Sequence, residues 1–253
     1  MRRRKILLLF SIAFFLVAAA CGCHIRREQN AKQQEQHEFE TLEDEFTLPE
    51  PTFVPTPESD DDKTQAITTH DIGALTGTNA DYFGWLTIPD TIISYPVMYS
   101  PGNPERYLHT DFYGNYSFSG TPFLDARCDP NDGNLIIYGH NMTNGTMFGS
   151  LKRFRDRAYL AAHPYVYLEQ ADGIHVFEII AAVTIPKNDP WYCFLKAVNA
   201  AEEKQWVADL REKPGLHVGS IPESGEPLLT LSTCNGANRS ERMIIVAKEV
   251  VTP

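Results

Sequence analysis

A chain of 253 residues is long enough for one or two domains, and 43% hydrophobic, 11% aromatic and 22% charged residues exclude both a wholly disordered chain and a polytopic membrane protein. Five cysteines are too few to staple a domain of this size, so its stability must come from a buried core. The net charge of -11 is local: Glu28 to Asp62 holds twelve acids and one lysine, while from Lys63 onward 15 basic residues face 21 acidic ones, a balance that argues against nucleic acid as a partner.

The chain opens with Arg2-Arg3-Arg4-Lys5 followed by Ile6 to Cys23, eighteen residues without a charge. A helix crosses a hydrocarbon core with about 20 apolar residues, so this run is just long enough when its flanks snorkel. Four positive charges precede it and two follow, which puts the N-terminus in the cytoplasm and everything after residue 24 outside. Residues 1–23 are therefore read as an uncleaved anchor. Two other readings stay open, because Ala18-Ala19-Ala20 resembles a cleavage site and Cys21 after it is placed for lipidation. All three put the body of the protein on the extracellular face of the cell membrane, single-pass if the anchor is kept.

Residues 24–65 are rich in Gln, Glu and Asp and then carry Pro49, Pro51, Pro55 and Pro57. Such a segment buries too little apolar surface to offset its ordering entropy, which predicts a disordered, charge-extended spacer. The domain is expected over residues 66–253. There, short apolar runs punctuated by Gly, Pro, Asn and Asp predict eight strands: Phe83 to Ile88, Ile92 to Met98, Thr121 to Leu124, Asn134 to Tyr138, Tyr165 to Leu168, His175 to Ile185, Pro227 to Thr233 and Met243 to Val251. Eight strands in this length suggest a mainly β fold closed, or nearly closed, into a barrel, which removes exposed edges. Two peripheral helices are predicted. One lies between Met147 and Ala162, where Phe148, Leu151 and Phe154 recur at helical spacing. The other starts at Asn199, whose side chain caps it with Glu202 completing a capping-box-like pair, and stops at Pro214-Gly215.

Chemistry is expected where strands end. The run Leu229 to Thr233 stops at Cys234, and small polar residues follow at once; a side chain there is held by a rigid scaffold and open to solvent. Eight residues on, Arg242 opens the next β run, so two neighbouring antiparallel strands would set Cys234 and Arg242 side by side. A fixed guanidinium favours thiolate over thiol and can donate hydrogen bonds to an oxyanion. Arg239 is the rival donor, but it sits inside the loop. A cysteine nucleophile also needs a proton carrier, and His140 closes the run Asn134 to Tyr138 in the same strand-end setting, unlike the other seven histidines. Each residue alone is ordinary. Together, at three strand rims of an exported domain, they point to nucleophilic catalysis.

These residues are similar to a known family. Thr-Leu-Ser-Thr-Cys at 230–234 with a following Arg, and Tyr-Gly-His-Asn-Met at 138–142 upstream, resemble the sortases, specifically class B. Asp81 to Ile88, Tyr95 to Met98, Asn144 to Leu151 and the helix before the catalytic strand resemble that family as well. The resemblance covers roughly residues 70–251 and implies an eight-stranded sortase-type β-barrel with short peripheral helices. It implies a cysteine transpeptidase of the Gram-positive surface that cleaves a C-terminal sorting motif of secreted proteins after its threonine and joins that threonine to an amine of a peptidoglycan precursor or cross-bridge. By motif, Cys234 is the nucleophile, His140 the general acid/base and Arg242 the oxyanion and substrate clamp, while Tyr138, Ser232 and Asn103 match positions lining the peptide groove. No cofactor loop and no metal ligand set is visible. Cys128 and Cys193, 65 residues apart, are read as free thiols rather than a disulfide.

Two alternatives stay open at this point. A different exported Cys-His enzyme, such as a peptidoglycan hydrolase, normally carries its cysteine before its histidine, whereas Cys234 follows His140 by 94 residues. A noncatalytic surface protein keeping only the barrel is the other.

Overall fold

The computed structural model describes residues 2–55, 64–130, 133–220, 222, 225–236 and 238–250, and for most of residues 2–32 it describes the backbone alone. Two compact units divide at residue 41. The first is the greater part of a helix, α1 (Arg2–Phe46). Among the described residues no helix is long and apolar enough to cross a membrane; the run Ile6 to Cys23 falls mostly on residues whose side chains lie outside the description.

The region expected as an extended spacer differs from that reading. Residues 24–46 continue α1, where Gln, Glu and Lys are good helix formers and pairs such as Gln34 to Glu38 and Gln36 to Glu40, each at 3.2 Å, add i,i+4 support. The last turn of α1 belongs to the second unit, with Leu42 and Phe46 buried, Phe46 edge-on to Phe112, and Glu43 accepting a hydrogen bond from Ser94 Oγ at 2.6 Å. Beyond it, β1 (Thr52–Pro55) and β2 (Thr64–Ile67) pair as an antiparallel hairpin, whose buried Val54 and Ile67 pack with Tyr165, Tyr167 and Val176. Residues 56–63 lie outside the described residues. A short helix, α2 (Ile72–Thr78), follows under an Asp71 cap.

The barrel comprises β3 (Tyr82–Thr87), β4 (Ser94–Met98), β5 (Phe123–Leu124), β6 (Asn134–Tyr138), β7 (Tyr165–Gln170), β8 (Gly173–Pro186), β10 (Leu228–Asn235) and β11 (Asn238–Glu249). The ring runs β11-β10-β6-β5-β4-β3-β7-β8 and closes through β8 with β11; β9 (Gly215–His217) is a short addition on β8. All eight predicted strands are present. Closure gives each of these eight strands a paired neighbour on both sides, and the interior is filled by buried Leu86, Val97, Ile137, Leu229, Leu231 and Ile245. Each such fully buried aliphatic side chain contributes about 1.5–3 kcal/mol, so the core alone explains why no staple is needed.

Between β6 and β7 the expected single helix is broken in two. Phe148–Arg155 is a 3-10 helix that buries Phe148, Leu151 and Phe154, and α3 (Arg157–Ala162) starts afresh because the Asp156 side chain accepts from the backbone N–H groups of Ala158 and Tyr159. Before β9 and β10, α4 (Ala200–Arg211) is capped by Asn199 as expected, with Glu202 reaching back to the N–H of Val198.

Candidate active site

Three strands leave the core at the same height. Along β10 every residue is buried through Thr233, and Cys234 is the first that is half-exposed. On one side β6 is buried through Ile137 and opens at Tyr138, Gly139 and His140; on the other, β11 is exposed to Ser240, half-exposed at Glu241 and Arg242, and buried from Met243. Register does the rest. Cys234 pairs directly with Arg242 across the antiparallel β10/β11 ladder, so their Cα atoms lie about 5 Å apart. The ladder slips just after Cys234, where Asn235 pairs with Asn238, and such a bulge re-aims side chains at a barrel rim. On the parallel side Ser232 pairs with Tyr138, which carries His140 to the level of Cys234.

Hydrogen bonds lock these rims together. Gly139 N–H donates to Ser232 O at 3.1 Å and Gly139 O accepts from Thr233 Oγ1 at 2.7 Å. The Asn141 side chain donates to Cys234 O at 2.6 Å, tying the residue after the histidine to the cysteine itself. Past the cysteine, Asn235 accepts from Arg155 and donates to Glu241, at 2.8 and 2.7 Å. His140 Nε2 lies 2.9 Å from Leu108 O, and the His109 ring stacks on His140 with centroids 5.5 Å apart. Arg242 Nη1 donates to Arg239 O and Glu241 O, both at 3.0 Å, which anchors the guanidinium on the backbone of its own strand.

Cys234, His140 and Arg242 line one groove of about 560 Å³. Tyr138 and Ser232 line it too; Arg239, expected inside a loop, stands on β11 and is not among the lining residues. Ser232 is 1% exposed and its hydroxyl meets Tyr192 OH at 2.8 Å, so it supports the groove wall from beneath. Asn103 is exposed in a turn closed by its N–H on Ser100 O, beside Pro104 and Glu105, which line the groove. Cys128 and Cys193 are free thiols, the first buried and the second exposed. Among the described residues no cluster of three or more His, Cys, Asp or Glu is arranged to hold a metal ion.

The groove also contains a charged network that the sequence reading missed. Arg127 grips Asp125 with a two-pronged contact, Nε to Oδ1 at 2.9 Å and Nη2 to Oδ2 at 2.7 Å, and donates to Tyr192 O at 3.1 Å. Tyr138 OH donates to the same carboxylate at 2.9 Å. Burial works against ionisation of Asp125, but the Arg127 fork, the Arg127 N–H and the Tyr138 hydroxyl together hold its carboxyl below the usual range. Burial first, then the Asp125 charge, pushes the Tyr138 phenol far above its ordinary value, and burial pushes Tyr192 up to about 12, so both stay neutral donors. Asp125 and Arg127 carry little signal in the sequence because they stand in a turn after a two-residue strand; the only sign is an acid two residues before an arginine.

The sortase domain family matches residues 86–250, which spans β4 to β11 with the cysteine, histidine and arginine inside it. The chain belongs to the sortase family. It is 34% identical over 178 residues to Sortase B of Listeria monocytogenes, covering 68% of this chain and 71% of that protein, and 23% identical over 252 residues to Sortase B of Staphylococcus aureus, covering 98% of each. The structure is similar to that of Clostridium perfringens sortase B, with a TM-score of 0.66, 31% identity and coverage of 72% of this chain and 100% of that one. A Staphylococcus aureus sortase B-substrate complex shares the fold at a TM-score of 0.71 and 21% identity. This sortase is a cysteine transpeptidase of the class B kind. The hydrolase and the noncatalytic readings are set aside accordingly.

Proposed function

We propose that this sortase binds a sorting-motif peptide of a secreted protein in the groove and transfers it to an amine of the cell wall precursor or cross-bridge through Cys234, His140 and Arg242. The observation that carries the reading is the direct pairing of Cys234 with Arg242 at the rim where His140 also emerges. The Cys234 thiolate attacks the threonyl carbonyl carbon, forming the S–C bond and placing the electron pair on oxygen. Arg242 Nε and Nη2 donate to that oxyanion while Nη1 stays anchored on backbone carbonyls. Collapse breaks the C–N bond, and protonated His140 gives its proton to the departing amine. The thioacyl enzyme is then attacked by the acceptor amine, His140 takes that amine's proton, and the thiolate leaves. The neutral phenols and the compensated Asp125–Arg127 pair supply polar hydrogen-bonding groups along one wall of the groove.

In this reading the run Ile6 to Cys23 tethers the enzyme to the cell membrane, residues 24–41 set its reach, and catalysis takes place on the extracellular face. The test is a panel of sorting-motif peptides incubated with the enzyme with and without an amine. Cleavage after threonine, an amide product only when amine is present, and loss of both in Cys234→Ala support the reading. Cleavage that is indifferent to the amine, or that survives in Cys234→Ala, refutes it.

A further inference from the structure

The proton carrier is held by a loop that comes from the opposite side of the groove. Residues 106–120 run from a short 3-10 turn, Arg106–Leu108, through a tight turn closed by Asp111, whose side chain accepts from the N–H and Nδ2 of Asn115 at 2.7 and 3.1 Å. Thr110 and Tyr116 bridge the base of this turn, and Ser117 N–H donates to His109 O at 3.1 Å. The result is a stiff hairpin that presents two things to His140. One is the Leu108 carbonyl, 2.9 Å from Nε2. The other is the ring of His109, stacked on His140 at 28° and stacked in turn on Tyr116 at 25°, with centroids 6.2 Å apart.

A carbonyl can only accept, so Nε2 must carry the proton in this contact. We propose that the 106–120 hairpin is the positioning element of the acid/base: Leu108 O fixes neutral His140 as the Nε2–H tautomer, which makes Nδ1 the nitrogen that exchanges protons, and the His109–Tyr116 stack holds the ring plane. His109 and Tyr116 are exposed, Tyr116 by 78%, so neither is needed to fill the core. A rigid turn that holds two exposed rings in line with the catalytic one has a use beyond packing. Gly120 supplies a second, independent sign. Its φ is +58°, and a Cβ built there would lie 2.4 Å from Tyr107 O and 2.5 Å from Leu108 O, so the absence of a side chain lets the carbonyl that holds His140 keep its place.

This inference rests on His140 being the proton carrier, and the test separates the two. Nitrogen-15 NMR of the imidazoles in the intact chain, at alkaline pH, reads the tautomer without any substrate. The expected spectrum shows His140 protonated at Nε2 in the wild type and a mixed tautomer in Gly120→Ala. Kinetics of peptide cleavage supply the other arm. His109→Ala lowers kcat about tenfold with KM within about twofold, a fraction of the 100- to 10,000-fold of general acid–base catalysis, and His109→Phe, which keeps a stacking ring, restores most of it. An Nδ1-protonated His140 in the wild type overturns the proposal, as does a His109→Ala variant with wild-type kcat or a His109→Phe variant no better than His109→Ala. If His140→Ala cleaves peptide at the wild-type rate, the acid/base assignment falls while the tautomer result still stands.

Discussion

Replacing Gly139 by alanine tests how rigidly the histidine and cysteine rims are joined. A Cβ at Gly139 would lie 2.7 Å from both Cγ and Cδ2 of Phe148 and 3.0 Å from Cε2. Carbon atoms rest at about 3.5–4.0 Å, so roughly 1 Å must be found. Phe148 has no room to give, being fully buried, and its N–H is bonded to His140 O at 3.0 Å. On the other side Gly139 is bonded to both Ser232 and Thr233 of the cysteine strand. The displacement therefore passes into His140. Overpacking of this kind costs about 1–3 kcal/mol in stability, and a 1 Å misplacement of a catalytic group costs about 100-fold in rate, near 2.7 kcal/mol of barrier. Urea denaturation and single-turnover thioacylation read the two effects separately. Phe148→Leu in the same chain makes space and restores part of the rate. A Gly139→Ala enzyme within about 0.5 kcal/mol of wild-type stability and within about twofold in rate would refute the argument that the two rims act as one rigid unit.

Other perturbations probe the remaining parts. Arg242→Ala lowers the acylation rate about 100- to 1,000-fold, as for loss of an oxyanion donor, whereas Arg239→Ala stays within about twofold in the same peptide-cleavage assay. His175 bridges Glu249 at 2.7 Å and Asp172 at 3.2 Å, and the Glu249 hydrogen bond, ahead of the opposing burial and the Asp172 contact, raises its pKa to about 9. A raised histidine pKa stabilises the fold fully below the unfolded value near 6.5, and the gain is lost as pH rises through about 9. After discounting for part exposure it amounts to about 1–2 kcal/mol, and denaturation curves of Glu249→Gln against pH should lack this decline. Burial pushes the Cys128 thiol up to about 11, so a thiol alkylator at mildly alkaline pH modifies Cys193 and Cys234 in the folded protein while peptide mapping finds Cys128 unmodified.

Strand and site legibility followed the same physics. The eight barrel strands are readable because each is a short β-branched or aromatic run bounded by turn residues, and the strand-end rule singles out Cys234, His140 and Arg242, which line one groove, because rims are where the runs stop. The hairpin of β1 and β2 was hidden by prolines and acids, whose cost is met here by packing of Val54 and Ile67 on Tyr165 and Tyr167. The helix break at Asp156 is not legible in the sequence because the apolar period of Phe148, Leu151 and Phe154 fits a 3-10 turn as well as an α-helix. Backbone contributions are beyond reach: nothing in the letters of Leu108 announces that its carbonyl lies against His140 Nε2.

The most direct test of the central claim is intact-protein mass spectrometry of the enzyme mixed with a cleavable sorting-motif peptide, before and after an amine is added. The account predicts a covalent adduct, located on Cys234 by peptide mapping, with the mass of the peptide's N-terminal part through threonine, which disappears on addition of amine as the amide product forms. Cleavage with no adduct on Cys234, even in rapidly quenched samples, or an adduct that decays to the free acid at the same rate whether or not amine is present, would contradict it.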